Sequence, residues 1–90
     1  RLADDHARAQ RLAEGVRAAG YTAQTPQTNM LYVNVRDGIA AEKQLDEAGV
    51  RCLHVSNTSL RLVTHIDVTD AGIDHAIATF DRLADTLAAG

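Results

Sequence analysis

The sequence predicts a two-layer α+β small domain: a three-stranded antiparallel sheet with helices on one face, in the order α-β-α-β-β-α. Three patterns carry that expectation. Apolar residues recur at the helical period near both ends of the chain, and they alternate at the strand period over residues 30–36 and 60–66. A run of turn-forming residues, Ser56-Asn57-Thr58-Ser59, separates two strand-like stretches and predicts a hairpin. At 90 residues and 9.7 kDa there is room for one compact core. Surface scaling puts the buried share of the unfolded surface at roughly 64%.

The first helix spans residues 2–19. Leu2, Ala9, Leu12, Ala13, Val16 and Ala19 recur near 3.6 residues, while Arg8, Arg11, Glu14 and Arg17 fall mostly on other faces. Gly20 stands where a left-handed C-terminal cap belongs. Residues 21–28 are polar, hold the only proline, Pro26, and read as a loop. Residues 30–36 form a strand rich in β-branched and aromatic residues, with Leu31, Val33 and Val35 on one face. Asp37-Gly38 turns the chain into a second helix over residues 39–48, closed by Gly49. Residues 50–55 make a short strand. Residues 60–66 make the next, with Leu60, Leu62 and Thr64 on one face and Arg61, Val63 and His65 on the other. Thr69 caps the last helix, and Asp70 puts negative charge on its positive end. Ile73, Ala76, Ile77, Phe80, Leu83, Ala84 and Leu87 then form one apolar stripe. With the Leu31 and Leu60 faces against helices, Tyr32, Asn34, Arg61, Val63 and His65 share the opposite face of the sheet. That face is either solvated or the place where another domain or subunit docks.

Composition narrows the function. The chain is 46% hydrophobic and 23% charged, which excludes disordered and fibrous classes. A net charge of −3 and three aromatic residues (Tyr21, Tyr32, Phe80) argue against nucleic acid as a partner. The apolar runs are too short for a membrane span. One cysteine, Cys52, permits no internal disulfide, so a reducing cytoplasm fits best. The chain opens inside a helical pattern without Met, and the expectation is a piece of a longer polypeptide, although processing would give the same start.

Catalytic constellations are missing from the pattern. His6, His54, His65 and His75 show no metal-ligand spacing with one another or with Cys52. Cys52 and His54 have no orienting third group and read as a small hydrophobe and a solvated histidine. Scattered glycines make no phosphate-cradling loop, and Asp4-Asp5 reads as solvated charge at a helix start. Lys43, the only lysine, sits among Glu42, Gln44 and Asp46 on a charged, wet stretch and not in the desolvated pocket that a Schiff-base lysine needs. No catalytic residue and no metal ligand is therefore assigned.

Leu60-Arg61-Leu62-Val63-Thr64-His65-Ile66-Asp67-Val68-Thr69 resembles the C-terminal segment of low-specificity L-threonine aldolases. These are pyridoxal-phosphate enzymes of the β-eliminating lyase group with the fold-type-I, aspartate-aminotransferase architecture. Gln27-Thr28-Asn29-Met30 before a strand is a second match. The opening residues 1–9, continued by Arg11-Leu12-Ala13-Glu14-Gly15, resemble the helix leading into that family's small domain. The resemblance runs in order over nearly the whole chain. It departs at Gly72, where an acidic residue often completes a capping box with the N-cap threonine.

The resemblance implies that residues 1–90 are the C-terminal small domain, with the large domain, its cofactor lysine and most phosphate contacts absent from this chain. Pyridoxal phosphate would be bound by that large domain. One role carries over: Arg61, the motif arginine, corresponds to the group that binds the substrate α-carboxylate. A guanidinium suits the task because its planar fork matches a carboxylate bidentately. His65 reads as a packing or domain-interface residue and Asp67 as shaping the start of the last helix. The implied parent cleaves L-threonine or L-allo-threonine to glycine and acetaldehyde, as a homotetramer or dimer with active sites near subunit interfaces. The isolated chain is expected to be inactive. Two alternatives stay open: a non-catalytic binding or assembly module using the Tyr32/Arg61/His65 face, and the small domain of another β-eliminating lyase or aminotransferase.

Overall fold

A computed structural model describes residues 2–24, 30–63 and 69–89. Along the chain run α1 (Leu2–Ala18), β1 (Met30–Asn34), α2 (Gly38–Glu47), β2 (Leu53–Ser56), β3 (Ser59–Val63), α3 (Asp70–Arg82) and α4 (Ala84–Leu87). The three strands form one antiparallel sheet in the order β1-β3-β2, so β3 is the central strand. This is the predicted α+β small domain with its predicted element order.

Helix ends are set by local chemistry. α1 carries Asp4 and Asp5 in its first turn and Arg17 in its last, both favourable to its dipole. It ends at Gly20, whose φ of 109° lets Tyr21 N–H donate back to the Val16 carbonyl at 3.0 Å. Gly49, at φ 88°, repeats the device for α2, and Val50 N–H donates to the Leu45 carbonyl at 2.8 Å. In both cases the residue after the glycine, Tyr21 or Val50, is buried and pins the turn to the core. Asp37 proves to be a helix cap as well as a turn residue, its carboxylate accepting from the N–H groups of Ile39 and Ala40. Thr69 caps α3 as predicted, accepting from Gly72 N–H at 3.0 Å.

The core lies between the sheet and the helices. Leu31, Val33, Leu60 and Leu62 point from the sheet into it, meeting Val16 from α1, Leu45 from α2 and Phe80 from α3. Tyr21 and Phe80 pack edge to face, with ring centroids 5.1 Å apart. The Tyr21 hydroxyl donates to the Phe80 carbonyl at 2.8 Å, and burial pushes its pKa up to about 12. Along their outer rims α1 and α3 are tied by Arg8–Asp70 and Arg11–Asp74 ion pairs.

The structure departs from the sequence pattern in three places. The last helix breaks at Leu83 (φ −97°, ψ 6°), despite an unbroken apolar stripe. The break lets the chain end return to the sheet: Arg36 N–H donates to the Leu87 carbonyl, and Ala88 pairs with Val35. β1 ends at Asn34: Val35 N–H still donates to the Thr58 carbonyl in register with β3, but Thr58 N–H turns to the Ser56 hydroxyl and Val35 pairs with Ala88 instead. β2 begins at Leu53, not Val50, because the Val50 N–H is committed to closing α2. Predictions resting on Pro26, Gln27-Thr28-Asn29 and residues 64–68, His65 and Asp67 among them, lie outside the described residues.

Candidate functional site

In β-structure, residues paired across antiparallel strands project to the same face. Tyr32 pairs with Arg61 and Arg61 with Leu53, so these three form a row across all three strands, on the face opposite the core. No helix covers them: Met30, Tyr32, Leu53 and Val55 are 39%, 36%, 53% and 46% exposed. The predicted open face is thus real, and it is more apolar than a solvated sheet face needs to be. Sequence alternation placed Tyr32 and Arg61 there. Leu53 and Val55 escaped it, because their faces depend on the β2–β3 register, which has a bulge between His54 and Ser56.

Arg61 occupies the centre of the central strand. Its Nε is fully buried and has no hydrogen-bond partner among the described residues. Other arginines behave differently. Arg8 reaches Asp70, Arg11 reaches Asp74 and the Asp70 carbonyl, Arg17 donates to the Ala23 carbonyl and Arg36 to the Ala88 carbonyl. A buried N–H without an acceptor costs about 1–3 kcal/mol. The side chain as a whole is only partly buried, and a guanidinium suits a planar anion, which accepts two parallel bonds from its fork. On this face Arg61 is a cation flanked on its row by Tyr32 and Leu53.

The other candidate residues fall away from this face. His54 lies on the edge strand and meets Glu42 of α2, Nδ1 to Oε1 at 2.9 Å, while its backbone N–H donates to the same oxygen at 2.6 Å. Those bonds from His54 hold the Glu42 carboxyl below its ordinary pKa. The pair is a clamp between α2 and β2 that joins residues twelve positions apart, and no spacing rule announces it. His75 Nε2–H donates to the Ala48 carbonyl at 2.7 Å and ties α3 to the end of α2. Cys52 is half-buried, and burial, with Glu42 and Asp46 nearby, pushes its thiol pKa up to about 12, the opposite of a reactive thiolate. No group of three metal-ligating side chains converges among the described residues. No helix there is long and apolar enough to cross a membrane.

The fold and the face together define a small α+β domain with an arginine in the middle of an open sheet whose Nε has no hydrogen-bond partner among the described residues. No family model matches the chain. In sequence it is similar to low-specificity L-threonine aldolase 1 of Arabidopsis thaliana, 26% identical over 95 residues, covering 97% of this chain and 26% of that protein. It is equally similar to probable low-specificity L-threonine aldolase 2 of the same plant, 26% identical over 91 residues, covering 92% of this chain and 26% of the relative. The resemblance carried by residues 60–69 therefore extends over nearly the whole chain. In three dimensions the domain matches part of a serine palmitoyltransferase from Sphingomonas wittichii with a TM-score of 0.76, at 21% identity, covering 92% of this chain and 24% of that one. That likeness speaks to the fold alone. The chain spans about a quarter of the length of the curated relatives it matches.

Proposed function

We propose that this chain is the substrate-carboxylate-binding small domain of a pyridoxal-phosphate-dependent L-threonine or L-allo-threonine aldolase. The observation that carries the reading is Arg61 at the centre of the open face, its Nε without a hydrogen-bond partner among the described residues, in the motif where the aldolase resemblance puts a carboxylate-binding arginine. Pyridoxal phosphate, the cofactor of the enzyme class to which the similarity points, supplies a ring that takes up negative charge developing at the substrate α-carbon. The residues present here do not fit that group. Lys43 is the one lysine in the chain, and it stands exposed on α2. The N-termini of α2 and α3 are already capped by Asp37 and Thr69, and the carboxylates of Asp37 and Asp70 put negative charge there that repels a phosphate. The cofactor would belong to a large domain outside these 90 residues, and the chain alone would be inactive. Arg61 then contributes position and orientation, holding the amino acid by its carboxylate.

The test is Arg61→Ala and Arg61→Lys in the full-length polypeptide, assayed for threonine cleavage. Loss of a bidentate, charge-assisted pair lowers kcat/KM roughly a hundredfold, about 3 kcal/mol, and lysine restores little of it. Unchanged kcat/KM sinks the assignment. The intact mass of the polypeptide from its source cell comes first: a much heavier chain supports the domain reading, and 9.7 kDa requires a separate large-domain chain.

A second reading is favoured by the exposure of Met30, Leu53 and Val55: a non-catalytic assembly module docking through the open face. A monodisperse monomer that binds no partner counts against it. The matched fold is equally compatible with another β-eliminating lyase or aminotransferase, and substrate profiling of the full-length protein separates these. A cytoplasmic setting and a dimeric or tetrameric parent belong to the same proposal and are read out by fractionation and sedimentation.

A further inference from the structure

Arg61 is not alone on its register row. Tyr32 lies directly across from it on β1 and shares its face. Side chains so paired have Cβ atoms about 4.5–5.5 Å apart, and tyrosine and arginine have comparable reach above a sheet. The phenol and the guanidinium therefore stand at the same height, side by side. Two observations sharpen the pairing. The Arg61 Nε is fully buried, and on its register row Arg61 is flanked by Tyr32 on one side and Leu53 on the other. The Tyr32 hydroxyl, by contrast, sits on a side chain that is 36% exposed and enters no hydrogen bond among the described residues.

From this arrangement we propose that Tyr32 is a second substrate-binding residue, whose hydroxyl donates to the same carboxylate that Arg61 binds and whose ring walls that ion pair from water. The inference rests on the reading of Arg61 as a carboxylate site and deepens it. An arginine fork fixes the plane of a carboxylate. A neutral donor from the neighbouring strand fixes which way that plane is turned, since only one tilt lets an oxygen serve both groups. The ring contributes separately, because charge-assisted bonds strengthen where water is excluded. Leu53 flanks the opposite side without a polar atom, so the one charge this row offers is positive and it favours an anion over an amine. The ligand class is thus a small α-carboxylate.

The experiment compares Tyr32→Phe, Tyr32→Leu and Arg61→Ala in the full-length polypeptide. Binding of glycine, which carries the carboxylate, and of ethylamine, which lacks it, is measured by calorimetry, alongside KM and kcat for threonine. Tyr32→Phe keeps the ring and should weaken glycine about tenfold, with the loss falling on KM rather than kcat and ethylamine unaffected. Tyr32→Leu should weaken glycine further, because the wall goes as well as the donor. If Arg61→Ala weakens glycine but Tyr32→Phe does not, the role of Tyr32 is overturned while the carboxylate site stands. If Tyr32→Phe weakens glycine and ethylamine equally, the tyrosine shapes the fold and not the ligand, and the inference is again overturned. If Arg61→Ala leaves glycine binding intact, both readings fail together.

Discussion

Replacing Arg61 by methionine in the 90-residue chain should make the domain more stable. The perturbation keeps an unbranched stem of similar length and removes every N–H donor from the socket. Nε is buried without an acceptor among the described residues, a defect of about 1–3 kcal/mol. Some of this is returned, because part of the side chain reaches water, and a gain of about 1 kcal/mol is the net expectation. For a domain this size that raises Tm by about 4–8 °C. Urea unfolding followed by circular dichroism reads the same quantity as a higher midpoint at unchanged slope. Arg11→Met is the matched control. It loses the ion pair to Asp74 and the bond to the Asp70 carbonyl, both exposed, and should cost about 0.5–1 kcal/mol. The same chemical change thus has opposite signs at the two sites. Destabilisation by Arg61→Met of more than about 1 kcal/mol would mean that the guanidinium serves the fold, and the reasoning that assigns it to a ligand would be refuted.

Three further outcomes follow from the packing and the perturbed groups. Tyr21→Phe preserves the edge-to-face contact with Phe80 but leaves the Phe80 carbonyl without its buried donor, and should cost about 1–2 kcal/mol in urea unfolding. Glu42 is held below its ordinary pKa by His54, so the clamp's contribution is complete above the unfolded carboxyl pKa of about 4.3 and is lost as pH falls through the lower folded value. Glu42→Gln should flatten the acid limb of stability against pH, and an unchanged slope would show the clamp to be idle. Cys52, with its pKa pushed up to about 12, should react with a thiol reagent at pH 8 far more slowly in the native chain than in urea, and equal rates would place it at the surface.

The fold was legible where local patterns are self-sufficient. The periods of Leu12-Ala13-Val16 and Ile73-Ala76-Phe80 needed only one helix each, and the caps at Gly20, Gly49 and Thr69 are read from residues within one turn. What escaped depends on partners distant in sequence. The apolar stripe runs straight through Leu83, and only the return of Leu87 and Ala88 to Arg36 and Val35 breaks the helix there. Val50 has the side chain of a strand residue, but its N–H already belongs to α2.

The site divides in the same way. Arg61 could be placed on the open face by alternation alone, since one strand suffices to say which side a residue takes. Its setting could not, because a row such as Tyr32–Arg61–Leu53 exists only once three strands have chosen their registers. An arginine among strand residues is unremarkable in sequence, where any acidic side chain is a possible partner. Folding removes that freedom: Asp70 and Asp74 pair with Arg8 and Arg11 in the helix layer, Glu42 pairs with His54, and the central arginine stands between a tyrosine and a leucine on its row. The lack of an acceptor for Arg61 Nε among the described residues is therefore a product of the strand registers, and the proposed carboxylate specificity rests on it.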